Sequence, residues 1–165
     1  MKSSIKKGLS YGMTSGVITS LGLLIGLYST TESKDVILAG LLTIAFADAF
    51  SDGLGIHISE ESSDHSTKRE VWEATIATVV SKMILGLSFI APILFLNLNL
   101  AVTVDFIWGF LALITLSYVV AKQNKDKINS VIFEHTGLAI FVVIGSPVCS
   151  NITEFILSLF CLATT

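Results

Sequence analysis

The sequence predicts an all-α integral membrane protein that crosses the bilayer five times, and three observations carry that expectation. First, only 14% of the 165 residues are charged, 52% are hydrophobic, and the mean hydropathy is +0.79. A soluble chain of this size carries roughly 25% charged residues, because a small sphere has much surface to keep wet. Second, five apolar runs come near or pass the ~20 residues a helix needs to cross the hydrocarbon core. Third, the cations lie almost wholly on alternate sides of those runs, the asymmetry that orients membrane proteins. The same composition excludes other classes. A net charge of -3 with a pI near 5.5 offers no basic footprint for nucleic acid. Two cysteines are too few for a disulfide scaffold.

The first span, residues 9–28, contains no charge and follows Lys2, Lys6 and Lys7. It lacks a small-x-small cleavage pattern and exceeds the ~7–15 residue core of a signal peptide, so it reads as a retained span. The second, 36–58, is apolar in its first half and interrupted by Asp48, Asp52 and His57 in its second. A polar stretch, 59–70, leads to the third span, 71–97, which holds Lys82 and Pro92. The fourth, 100–121, is broken only by Asp105, and the fifth, 131–160, has Gly145, Ser146 and Pro147 in its middle. Lys2, Lys6, Lys7, Lys68, Arg69, Lys122, Lys125 and Lys127 then fall on one side and Lys34 alone on the other. This bias predicts a cytoplasmic N-terminus and an outer or lumenal C-terminus. No linker or internal repeat is visible, so residues 1–165 read as one five-span domain.

Small residues step by four along the first span, at Gly8, Gly12, Gly16 and Ser20, with Gly22 and Gly26 as a further pair. Such spacing lets two helix backbones approach closely in lipid. It serves either packing within one chain or a homodimer seam at Gly8, Gly12 and Gly16.

Asp48 and Asp52 are the most informative pair. Four residues apart, they face one side of a helix. Carboxylates at membrane depth cost a few kcal/mol on insertion scales and mark ion or proton paths. Two together suit a hard divalent cation. Two plainer readings compete: the span ends near Phe50 and leaves Asp52 among headgroups, or Lys82 neutralises one aspartate. His57, Glu60, Glu61, Asp64, His65, Glu70 and Glu73 form an acidic, imidazole-containing run at the cytoplasmic ends of spans two and three. Glu134 and His135 stand at the start of span five on the same side. Such donors suit iron(II), manganese or zinc, although a solvated charged loop accounts for them equally. Asp105 and Glu154 read as interfacial, and Pro147 as a kink. Cys149 and Cys161 are too far apart on one apolar segment to pair, and Asn151-Ile152-Thr153 lies too near the membrane for glycosylation. No nucleotide loop, nucleophile elbow or zinc-protease motif occurs, so an enzyme is not expected.

The run 12–27 resembles the first span of the vacuolar iron transporter family, with Gly16, Thr19 and Gly22 at matching positions. Ser15 stands where that family has aspartate. The second span resembles the family's second, with Asp48 in place of its methionine, Ser51 of its glycine and Asp52 of its glutamate. Residues 88–95 resemble its proline-containing third span. The long metal-binding insert of the plant-type members is replaced by about a dozen residues. The resemblance implies a homodimeric divalent-cation transporter, with iron(II) or manganese as substrate, protons as coupling ion and no resident cofactor. Asp48, Asp52, Ser15 and Thr19 would line the path. His57, Glu60, Glu61, Glu70, Glu73, Glu134 and His135 would form the cytoplasmic mouth. The alternative is a non-transporting scaffold or metal-sensing protein on the same fold.

Overall fold

The computed structural model describes residues 2–63 and 66–163, with side chains through Phe160. Asp64 and His65 of the expected acidic run, and the side chain of Cys161, lie outside the described residues. Six helices follow one another: α1 (Ser3–Thr30), α2 (Lys34–Glu61), α3 (Lys68–Ser88), α4 (Ile90–Phe95), α5 (Leu98–Asn124) and α6 (Ile128–Ala163). Five segments are long and apolar enough to cross a membrane, α3 and α4 together forming the third.

At their cation-rich ends α1, α2, α3 and α5 outrun their apolar stretches, taking in Lys6 and Lys7, Glu60 and Glu61, Lys68 and Arg69, and Lys122. The ends are set by side chains. Ser33 accepts from the Val36 amide, and Asn97 Oδ1 accepts from the Leu100 amide at 3.0 Å. Thr67 and Glu70 form a reciprocal capping box at the start of α3. α5 ends on Lys125 in the left-handed region (φ 61), whose amide reaches back to the Ala121 carbonyl.

The third span, expected as one helix, is broken at Phe89. Pro92 has no N–H for the carbonyl one turn earlier, so the chain tightens and the Phe89 amide bonds Gly86 at 3.3 Å instead. By contrast α6 remains helical through Pro147.

α1 is the central post, packed against α2, α3, α5 and α6. Val17, Leu21, Leu24, Ile37, Leu41, Phe89, Ile93 and Leu113 form the core around it. Large apolar side chains such as Phe46, Leu54, Ile84, Phe141 and Phe155 point outward. A bilayer accepts that surface where water would not.

The glycine stripe on α1 is consumed within the chain. A Cβ on Gly8 would strike the Ala74 carbonyl oxygen. One on Gly12 would lie 2.5 Å from the Thr78 carbonyl oxygen, and one on Gly16 3.2 Å from Lys82. All three are buried against α3. The expected homodimer seam at Gly8, Gly12 and Gly16 is therefore corrected: those residues let α3 approach α1 and leave no room for a second copy.

Candidate functional site

α2 presents Asp48 and Asp52 one turn apart, α3 presents Lys82, and α1 presents Ser15. The tight α1–α3 contact brings the four together. Lys82 Nζ lies 2.6 Å from Asp48 Oδ2, donates to Asp52 Oδ2, and donates to Ser15 Oγ at 2.8 Å. Ser15 Oγ in turn donates to Asp52 Oδ2 at 2.7 Å. The Lys82 side chain is 2% exposed, Asp52 17% and Asp48 26%. Asp48 Oδ2 is held by proximity alone, since the ammonium is out of line for a hydrogen bond. With all three groups ionised the cluster keeps one negative charge. Tyr11, one turn before Ser15, lies within electrostatic reach of both carboxylates.

Lys82 belongs at the centre of this site, and it neutralises in part both aspartates rather than one. Thr19 does not join them. Its hydroxyl is spent on the Ser15 carbonyl at 3.0 Å, the usual retreat of a threonine inside a helix.

The described residues of the expected metal-binding mouth do not converge on one another. His57 Nδ1 meets Thr75 Oγ1 at 3.0 Å, and its ring stands edge-on to Trp72. Glu60 accepts from Lys7 at 2.7 Å and from Ser66. Glu61 is exposed. Glu70 caps α3. Glu73 pairs with Lys2 and Arg69 and accepts from Ser4 at 3.0 Å. Glu134 accepts from Ser130, and His135 Nδ1 meets Ser117 Oγ at 2.9 Å. Among the described residues no group of three His, Cys, Asp or Glu could hold a metal ion together. Glu60, Glu70 and Glu73 are taken up by helix capping and by contacts between helices. Lys2–Glu73 and Lys7–Glu60 fasten the start of α1 to α3 and α2.

Two openings flank the cluster. A groove of about 600 Å³ between α1 and α2 is lined by Leu23, Gly40, Thr43, Ala47, Asp48 and Ser51, so Asp48 faces outward through it. A cavity of about 720 Å³ at the cation-rich end is lined by Lys6, Lys7, Ser10, Tyr11, Gln123 and His135 among others. Its lysines favour anions, which makes it a poor approach for a cation.

One buried carboxyl was misplaced by the sequence reading. Asp105, expected at the interface, is completely buried, and neither of its oxygens has a hydrogen-bond partner. The short link between α4 and α5 is the available clue. With helix α5 starting at Leu98, Asp105 lies two turns inside the bundle.

A scan against protein-family models finds no match to this chain, and no curated protein sequence matches it.

Proposed function

We propose that this chain transports divalent metal cations across a membrane, with iron(II) or manganese as substrate, by exchange at the Asp48–Asp52 pair. The single observation that carries the reading is the convergence of two carboxylates and a hydroxyl on one buried ammonium. Lys82 acts as a tethered cation that occupies the carboxylates between turnovers. An incoming ion supplies the positive charge, the ammonium swings aside, and neither carboxylate is left bare at membrane depth. Asp48, Asp52 and Ser15 offer the substrate oxygen ligands, which hard cations prefer. The cation-rich end is the cytoplasmic one in this reading.

A second copy covers the α1–α2 groove. Thr43, Ala47, Ser51 and Gly55 step by four along the exposed flank of α2 beside Asp48. A Cβ on Gly55 would meet nothing within 4 Å. Small residues there permit close approach between copies, and the approach would shield Asp48 from lipid.

The engagement of Lys82 with both aspartates also favours a second reading, a non-transporting scaffold whose charges are permanently paired. Manganese uptake into proteoliposomes separates the two. Transport expects uptake by the wild-type chain and at least tenfold less by Asp48→Asn. Asp52→Asn is expected to lose less, and Glu32→Gln, a surface control, nothing. Wild-type rates in both asparagine variants sink the exchange mechanism. No flux of any divalent ion through the wild type sinks the transport reading and leaves the scaffold.

A further inference from the structure

Asp105 is the buried ionisable group that the carboxylate pair leaves unexplained. It stands on the buried stripe of α5 between Ala101 and Gly109. Gly109 lies against Leu21 of α1, six residues beyond Ser15, and Asp105 is one turn further out along α5. At 1.5 Å per residue these steps place Asp105 roughly 15 Å from the Lys82 cluster, toward the Lys34 end. Neither Oδ1 nor Oδ2 has a hydrogen-bond partner, and the residue has no exposure.

The third crossing is interrupted at the same level. Trp108, three residues after Asp105, donates to Ser88 Oγ at 3.0 Å, beside the break at Phe89. α4 packs on α5 directly after that break.

We propose that Asp105 is a proton-binding site on the outer side of the Lys82 cluster, filled in this conformation and exchanging with water at the Lys34 end. A bare carboxylate buried with no donor and no cation costs far more than the neutral acid. A metal needs several oxygen ligands around it, and among the described residues no ligand group of three forms at Asp105. A proton needs none of that room.

Among the described residues the neighbouring helices pair no charge with Asp105; Lys34 of α2, at that end, donates to the Leu96 carbonyl. α4 has no ionisable side chain. In the outer half of α1 the ionisable group is Tyr28, whose hydroxyl donates to Asn99 Oδ1. On α6 Cys149 and Glu154 are exposed, and Glu134 and His135 lie at the far end. Lys82 of α3 is held by Asp48 and Asp52. Release breaks the carboxyl O–H bond and passes the proton to outer water, leaving a carboxylate, and loading reverses the step. Only the use made of that proton rests on the transport reading; its presence and exchange do not.

Infrared difference spectroscopy on the full chain in lipid tests this without any flux measurement. The wild type is expected to show one un-ionised carboxyl carbonyl band that Asp105→Asn lacks, and that band is expected to shift on transfer to D2O. Asp105→Leu, which replaces an unpartnered polar group by an apolar one, gives the same loss if the asparagine variant fails to fold. Absence of the band in the wild type overturns the proposal, as does a band that never shifts in D2O. A chain that carries no metal yet shows the shifting band would end the transport reading and leave this one standing.

Discussion

On one face of α1, Gly8, Gly12 and Gly16 meet α3, whereas on another Gly22 and Gly26 meet α6. The spacing is the same and the tolerance is not. Against α3 the nearest atoms to an added Cβ include the Ala74 and Thr78 carbonyl oxygens, which are backbone and cannot turn aside. Against α6 the nearest atoms are the Val142 side-chain tip at 2.6 Å for Gly22 and Ser146 Cβ at 3.5 Å for Gly26. The most apolar stretch of α6 has no buried residue, while 44% of that of α1 is buried. Small-residue spacing thus announces that a helix comes near, but not which helix, nor how near. The tight face is also the one that carries charge. Gly16 opposes Lys82, and Ser15 beside it bonds both Lys82 and Asp52.

The largest effect is expected from removing the charge on that tight face. Lys82→Met keeps much of the volume and leaves two neighbouring carboxylates without their cation. Breaking a buried ionic cluster in this way costs about 3–5 kcal/mol. Reversible unfolding in mixed micelles is the measurement. Adding Asp52→Asn to Lys82→Met is expected to recover most of the loss, since one carboxylate alone repels nothing and the amide can still accept from Ser15. A single Lys82→Met variant as stable as the wild type would mean that the cluster is not ionic, and the contrast between the two faces of α1 would reduce to packing.

Next comes Gly12→Ala. The new Cβ would sit 2.5 Å from the Thr78 carbonyl oxygen, so α3 must move off α1. Overpacking of this kind costs about 1–3 kcal/mol, read by the same unfolding. Because α3 carries Lys82, the displacement also loosens the Asp48–Asp52 cluster. The substitution is expected to leave the oligomeric state unchanged, since the stripe is internal. Stability unchanged with a lost dimer would return the stripe to a seam between copies.

The five helices long and apolar enough to cross a membrane were legible in the apolar runs. The pairing of Asp48 with Asp52 was legible too, because a four-residue step on a helix leaves little choice of face. The role of Lys82 was legible only as one alternative, because local periodicity does not say which face of α3 turns toward α2. Among the described residues the acidic mouth does not draw together. Glu60, Glu70, Glu73 and His135 each found a nearer donor or acceptor in the fold, and composition cannot foresee such local satisfaction. Asp105 was misjudged for a related reason. Its distance from the span end suggested the headgroups, whereas the two-residue link between α4 and α5 draws the start of α5 into the bundle.

The smallest effect is expected at the loose face, and it sharpens the comparison most cleanly. Gly26→Ala places a methyl at ordinary contact distance from Ser146 Cβ, with Ser150 Oγ at 3.8 Å. The hydrogen bond from Ser150 Oγ to the Gly26 carbonyl, at 2.9 Å, uses backbone that the methyl does not touch. Alanine also gains over glycine inside a helix by up to about 1 kcal/mol. The variant is therefore expected to be neutral or slightly more stable than the wild type in the same unfolding measurement. Gly22→Ala should fall between, because the Val142 methyl must move and α6 is free enough to let it. If Gly26→Ala instead costs as much as Gly12→Ala, α6 presses on α1 as hard as α3 does. The difference between the two faces would then be one of sequence alone.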